Sequence, residues 1–255
     1  MIFKKLLAIA LVAYLLFALI IIIVASHHRA LHITPAPSVA QAPDFAEIEN
    51  IKERKAAFFA FLRPLIETEN QKILAQREKL TKLTTQFSAN GKLNHRQQTQ
   101  LLKLAEQFSV KPSEDTQKLL GQLSKRVDTL PAALVLAQAA NESSWGRSRF
   151  ATEGNNYFGQ WCFKKGCGLV PSKRAAKAGH EVRKFDSAGE SVAAYFFNLN
   201  THRAYKSLRE LRTNLRVQNI AVTGHALAGG LTHYSERGKE YIEELRVMIR
   251  VNRLE

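Results

Sequence analysis

Residues 131–145 read PAALVLAQAANESSW, and from Ala132 to Ala140 the only polar side chain is Gln138. Pro131 suits the first position of a helix, and a helix that is apolar on nearly every side cannot rest on a surface. It has to lie inside a shell of other elements, so the rest of the chain must supply the apolar faces that enclose it. The tip of this helix is polar: Asn141, Glu142, Ser143 and Ser144 precede Trp145, and Gly146 acts as a stop. Gln138, Glu142 and Trp145 are spaced four and three apart and share one face. A carboxylate at a helix C-terminus meets the negative end of the macrodipole, which disfavours its charged form. Partial burial against Trp145 acts the same way and moves the pKa toward that of a general acid. The competing reading is a solvated glutamate on a fraying last turn.

A second apolar run opens the chain. From Leu6 to Ala25 no residue carries a charge, and Tyr14 is the only one with a polar side-chain group. As a helix this run reaches roughly 30 Å, the hydrocarbon thickness of a bilayer. Lys4 and Lys5 precede it and the next cation is Arg29, which leaves the N-terminus in the cytoplasm and exports the remainder. The expectation is an uncleaved single-pass anchor over residues 1–26. A cleaved signal peptide is the alternative, with Val24-Ala25-Ser26 as a passable cleavage site, but its apolar core runs only about 7–15 residues.

Residues 27–43, with His27, His28, His32, Pro35, Pro37 and Pro43, read as an extended linker, and the histidines as a polar juxtamembrane stretch without fixed metal geometry. Residues 44–128 read as a helical region of unassigned role. Asp44 and Glu47 suit a helix start, and Pro64 predicts a bend or break. Ile66, Ile73, Leu80 and Phe87 recur every seven residues as one buried stripe, Asn90-Gly91 ends that helix, and Asn94 and Ser113 suit the caps of two more. Residues 129–255 hold everything with recognisable chemistry. There Ser187 with Glu190 predicts a capping box ahead of the stripe Val192, Tyr195, Phe196 and Leu199, which reads as core.

Export sets the reading of Cys162 and Cys167, separated by four residues with Gly166 and Gly168 allowing a tight turn. An oxidising compartment favours a local disulfide. Two thiols alone make a weak metal site, and a redox pair favours the shorter C-x-x-C spacing. No four-ligand Cys/His set predicts a metal, and no cofactor is expected.

The stretch AQAANESSWGRSRFATEGNNYFGQW resembles the glucosaminidase domain of glycoside hydrolase family 73, in its A-Q-x-A-x-E-S-x-W-G helix end and its N-x-F-G element. The resemblance covers residues 131–250. It implies a mainly α fold, a lysozyme-like helical domain with a small β-hairpin lobe, here preceded by the transmembrane helix and the helical region. It implies Glu142 as the catalytic general acid, Glu181 as a second groove carboxylate with Glu153 and Asp186 as rivals, and Tyr234 near the acid. Gln138, Trp145, Asn156, Phe158, Gly159 and Tyr241 are then expected to bind substrate. Two departures stand out: the lobe carries the cysteine pair and a basic run between Lys164 and Gly179, and Tyr234 is followed by Ser-Glu-Arg-Gly where the family has Ala-Thr-Asp-Pro.

The implied activity is cleavage of the β-1,4 bond after N-acetylglucosamine in peptidoglycan glycan strands, from the periplasmic face of a bacterial inner membrane. The alternatives are a lytic transglycosylase and a non-catalytic wall-binding scaffold. The net charge of +15 suits a polyanionic envelope, with 19 Lys and Arg against 11 Asp and Glu in residues 131–255. Nucleic acid is not an expected partner, because the chain is exported and carries no recognition motif. A third reading, an amidase cutting the peptide stem, lacks the His/Glu metal set such enzymes usually need.

Overall fold

Asn50 starts the first helix by accepting hydrogen bonds from the N–H groups of Lys52 and Glu53, and α1 (Ile51–Asn90) then runs for 40 residues. The computed structural model describes residues 41–172 and 179–255. The expected span at 1–26 and the linker through residue 40 lie outside the described residues. Among those described, no helix is long and apolar enough to cross a membrane.

The helix start falls at Asn50 rather than Asp44, whose side chain instead caps a turn by accepting from the Ala46 N–H. Pro64 lies inside α1, which runs through it unbroken. An interior proline costs about 3 kcal/mol. Phe58 and Leu62 before it and Ile66 after it are fully buried in one core, and burial of such side chains is worth about 1.5–3 kcal/mol each. The packing wins. At the other end Gly91 takes a left-handed conformation and donates its N–H to the Phe87 carbonyl.

Two short helices follow. Helix α2 (His95–Gln107) opens on a full capping box between Asn94 and Gln97. Helix α3 (Thr116–Arg126) is capped by Asp115, with the expected Ser113 two residues back, its hydroxyl accepting from the Asp115 N–H. The far half of α1 (Leu80, Leu83), α2 and α3 enclose a small core of their own.

The main core surrounds α4 (Ala132–Glu142), in which every residue from Ala133 to Ala140 is buried. Pro131 sits just ahead of its first residue, and its carbonyl accepts from Leu134 and Val135. Helix α5 (Arg149–Gly154) leads into a small sheet of β1 (Trp161–Cys162), β2 (Gly168–Leu169) and β3 (Glu181–Arg183). Then come α6 (Ala188–Thr201), a 3₁₀ turn at Arg203–Tyr205, α7 (Lys206–Val217), α8 (Gly224–Ala228) and α9 (Lys239–Val251). Helix α4 packs against α1, α8 and α9, while α1 also packs along α6. Phe45, Phe58, Leu62, Ile66 and Ile73 therefore share one core with Leu134, Leu136, Val192 and Leu245. Helix α1 contributes residues to both cores.

The lobe is a three-stranded antiparallel sheet in the order β1-β3-β2, not a two-stranded hairpin. Cys162 and Cys167 are joined by the expected disulfide, which turns the chain around β3 so that β1 and β2 flank it. Gly168 makes the close approach possible: a Cβ there would stand 2.0 Å from the Val182 carbonyl oxygen. Ser187 accepts from the Glu190 N–H as expected, but the Glu190 carboxylate reaches back to the N–H of Asp186.

At the N-terminal end of α4 lies an ion cluster that no sequence pattern announced. Asp128, 3% exposed, takes both Nε and Nη2 of Arg216 at 2.6 and 2.7 Å, with Arg77 at 3.3 Å and Arg212 at 3.5 Å. The fully buried Arg212 also donates to the carbonyls of Lys125, Asp128 and Thr129 and to Asn200 Oδ1. Its pKa is lowered to about 10, chiefly by burial, and Asp128 works against that shift. One carboxylate thus ties α1 and α7 to the segment leading into α4. Replacing Asp128 with Ala leaves the buried Arg212 without its counter-charge, which costs about 3–5 kcal/mol. We expect Asp128→Ala to lose stability on that scale in denaturant unfolding, and a loss below 1 kcal/mol would show that the cluster contributes little.

Candidate active site

The C-terminal end of α4 is a sharp turn built by its own serine. Ser143 is fully buried; its hydroxyl donates to the Ala139 carbonyl at 2.6 Å and accepts from the Gly146 N–H at 2.8 Å. Ser144 and Trp145 both adopt left-handed backbone, with φ of 52° and 60°. Such a conformation costs a residue with a side chain about 1–2 kcal/mol, and strain of this kind concentrates at functional sites. Gly146 also has positive φ, and a Cβ there would come within 2.3 Å of the Phe45 ring. Phe45 and the turn are packed too closely for any other residue.

The turn leaves Glu142 half-buried at the helix end. Desolvation pushes its pKa above the usual carboxylate range, against hydrogen bonds from Tyr241 and Asn141 and the charge of Arg237, while Glu244 reinforces the rise. The Tyr241 hydroxyl donates to Glu142 Oε1 at 2.8 Å and accepts from Gln138 Nε2 at 2.9 Å. Gln138 in turn accepts, through Oε1, a hydrogen bond from the Tyr195 hydroxyl. A chain of polar groups thus runs from Tyr195 through Gln138 and Tyr241 to the acid. The Tyr241 hydroxyl has a single hydrogen, and with Gln138 donating to its oxygen that hydrogen goes to Glu142. Tyr241 is held far above its usual pKa, first by burial and then by the charge of Glu142, so it remains a donor.

Glu142 Oε2 faces the other way, 4.0 Å from where a Cβ on Gly159 would stand. Gly159 has φ of 63°, and the loop that presents it is shaped by Asn156. That side chain is almost fully buried; it donates to the carbonyls of Gln160 and Arg183 and accepts from the N–H groups of Phe158 and Gln160. Phe158 is buried too, stacked on Tyr195 with ring centroids 4.1 Å apart. Its carbonyl accepts the Tyr234 hydroxyl at 3.2 Å. Tyr234 lies flat on Tyr241, centroids 5.4 Å apart and planes 6° from parallel.

Glu142, Tyr241, Tyr234 and Gly159 therefore form one cluster. Gln138, Asn156 and Phe158 are buried beneath it and support the groups above them. Trp145 turns toward α1, where its ring meets the edges of Phe58 and Phe59 at 5.8 and 5.4 Å. Glu181 belongs to β3. It is 5% exposed, and its two carboxylate oxygens accept from the N–H groups of Gly166 and Gly168 at 3.0 and 2.8 Å. Those bonds hold the disulfide loop against β3, which is a structural task. The rivals Glu153 and Asp186 are exposed.

Sequence reasoning passed over Tyr195 and Ser143. Tyr195 was legible in principle, since it is the one hydroxyl in an otherwise apolar stripe and a buried tyrosine needs a partner. Ser143 was not, because any residue of a polar helix tip looks solvated. The sulfurs of Cys162 and Cys167 lie near the Glu181 carboxylate, but the disulfide removes both as metal ligands.

Comparison with known proteins agrees with this geometry. Residues 117–254 match the glucosaminidase family model, described as mannosyl-glycoprotein endo-beta-N-acetylglucosaminidase. The chain is 36% identical over 211 residues to protein bax of Escherichia coli strain K12, covering 82% of this chain and 74% of that protein. No solved structure matches. The chain belongs to the glucosaminidase family of glycoside hydrolases.

Proposed function

We propose that this chain is a membrane-anchored peptidoglycan hydrolase, an endo-β-N-acetylglucosaminidase that cuts the β-1,4 bond after N-acetylglucosamine with Glu142 as general acid. The observation that carries the assignment is the state of Glu142: half-buried, raised in pKa, and hydrogen-bonded on one oxygen only by groups that can be traced back into the core. Tyr241 donates to Oε1, so the transferable proton belongs on Oε2, toward Gly159, where the glycosidic oxygen would arrive. The uncharged run at Leu6–Ala25 supports an inner-membrane anchor, with the enzyme working in the periplasm. The helical body around a buried helix that ends in the acid, with a small sheet beside it, supports a lysozyme-like arrangement.

The second step falls to the substrate itself. An inverting mechanism needs a second carboxylate about 6.5–9.5 Å from the first, and the Glu181 carboxylate is engaged by the disulfide loop. The acetamido oxygen of the sugar is then the nucleophile, as in the substrate-assisted exceptions. Tyr234 gives its hydrogen to the Phe158 carbonyl, so its oxygen is free to accept from the acetamido N–H and steer that attack. A single-acid site also fits a lytic transglycosylase, in which a sugar hydroxyl replaces water. The products separate the two. Borohydride-reduced fragments ending in reduced N-acetylglucosamine mark the hydrolase, and anhydro-muramyl ends mark the transglycosylase.

Glu142→Gln keeps the shape and removes the proton. Cleavage of isolated sacculi should fall by about 10²–10⁴-fold or more; undiminished cleavage would remove Glu142 as the acid. Stability should not fall. A carboxyl whose folded pKa lies above its unfolded value binds more protons when folded, so stability declines as pH rises through that window. The glutamine variant lacks this decline and should melt no lower than the wild type at neutral pH.

Tyr241→Phe probes the other oxygen. Its hydrogen bond lowers the Glu142 pKa, so without it the acid stays protonated to higher pH. The alkaline limb of the activity profile should move upward, with a lower maximum rate. A limb that stays in place would show that Tyr241 only packs.

A further inference from the structure

A groove of about 1000 Å³ begins one residue from the acid, at Asn141, and runs between Trp145 and helix α9, lined by Lys55, Arg237, Glu240 and Val251 among others. Lys55 belongs to α1, outside the family-matched residues 117–254. Its ammonium lies 4.6 Å from the centre of the Trp145 ring. We propose that Lys55 and this groove form a subsite for the peptide stem carried by the glycan, with the Lys55 ammonium taking a stem carboxylate. The proposal rests on the peptidoglycan reading above and names the part of that substrate the groove receives.

Three observations carry it. The first is the charge inventory. Glu244 is paired with Arg237, and Glu243 with Arg246 at 2.6 Å, while Glu240 joins no ion pair among the described residues. Lys55 takes part in none of the ion pairs among the described residues. It is half-buried, and the Trp145 ring is the contact that holds it. A cation–π contact of this kind is worth about 0.5–1 kcal/mol and leaves the hydrogen-bonding capacity of the ammonium unused.

The second is rigidity. Trp145 is fixed by its left-handed backbone and by the edges of Phe58 and Phe59, and Phe45 packs against Gly146 in the same turn. The ring that the ammonium contacts is therefore held in place beside the catalytic turn. The third is continuity. Arg237 lines the groove, lies over the Tyr241 ring at 5.6 Å and contributes to the electrostatics of Glu142. A substituent on the sugar next to the scissile bond would enter the groove directly.

The test compares two substrates: glycan strands that carry their peptide stems, and the same strands stripped of stems by an amidase. Wild type, Lys55→Ala and Lys55→Arg are assayed on both, with melting temperatures measured alongside. Lys55→Ala should raise KM on stem-bearing strands by about three- to tenfold, the range of a partly exposed charge-assisted contact. It should leave kcat and the stripped strands unchanged and lower the melting temperature only by what the lost cation–π contact supplies, and Lys55→Arg should restore most of the loss. An equal effect on both substrates would make Lys55 a support for Trp145 and overturn the proposal. No effect on either substrate, with wild-type cleavage that still depends on Glu142, would overturn it too. A wild type that cuts neither preparation would remove the glycosidase reading first and the subsite with it.

Discussion

The burial of α4 dictates the rest of the molecule. From Ala133 to Ala140 it offers no face to solvent, so α1, α8 and α9 must close around it. Small residues make that closure tight: Ala133, Ala137, Ala139 and Ala140 let neighbouring helices approach, and a Cβ on Gly224 of α8 would meet the Leu134 nitrogen at 2.7 Å. Both ends of this apolar rod are polar, and each needed its own solution. At the N-terminal end the solution is ionic, with Asp128 drawing Arg77, Arg212 and Arg216 together. At the C-terminal end it is a chain of neutral hydrogen bonds that stops at one ionisable group.

The two ends therefore differ in kind. At one a carboxylate is shared by three guanidiniums. At the other a lone carboxyl is supported by Tyr241 and backed by Gln138 and Tyr195. Burial raises its pKa, and the hydrogen bond from Tyr241 limits that rise. In a low-dielectric setting each bond in such a chain carries more weight than it would in water, so the deletion of one remote hydroxyl is felt at the acid.

Much of the helical framework was legible in the sequence because its signals are local. The stripe at Ile66, Ile73 and Leu80 is buried, Asn94 caps its helix, Gly91 ends α1, and the cysteine pair closes its loop. Where two caps lay close together the reading took the wrong neighbour: Asp44 over Asn50, and Ser113 over Asp115. Either residue can bind a backbone N–H, and packing chose between them, with Phe45 held against Gly146 ahead of Asn50. The Asp128 cluster left no trace, since Arg216 stands 88 residues away in the chain. The partners of Glu181 were hidden for a related reason. A carboxylate that binds the N–H groups of a disulfide loop reads in sequence like any acidic residue near a groove. The acid itself was placed correctly at a helix end, but the groups that govern it come from α6 and α9.

The reach of α1 has a further consequence. Phe58, Leu62 and Ile66 fill one side of the core around α4, yet they lie more than fifty residues before the region shared with the family. A fragment cut at that boundary would keep every catalytic side chain and still open a long apolar trench along α4 and α6, the kind of exposed surface that drives self-association. The hydrolase is therefore not a transplantable module with an accessory attached to its front. The family model and the folding unit have different borders, and α1 occupies the ground between them.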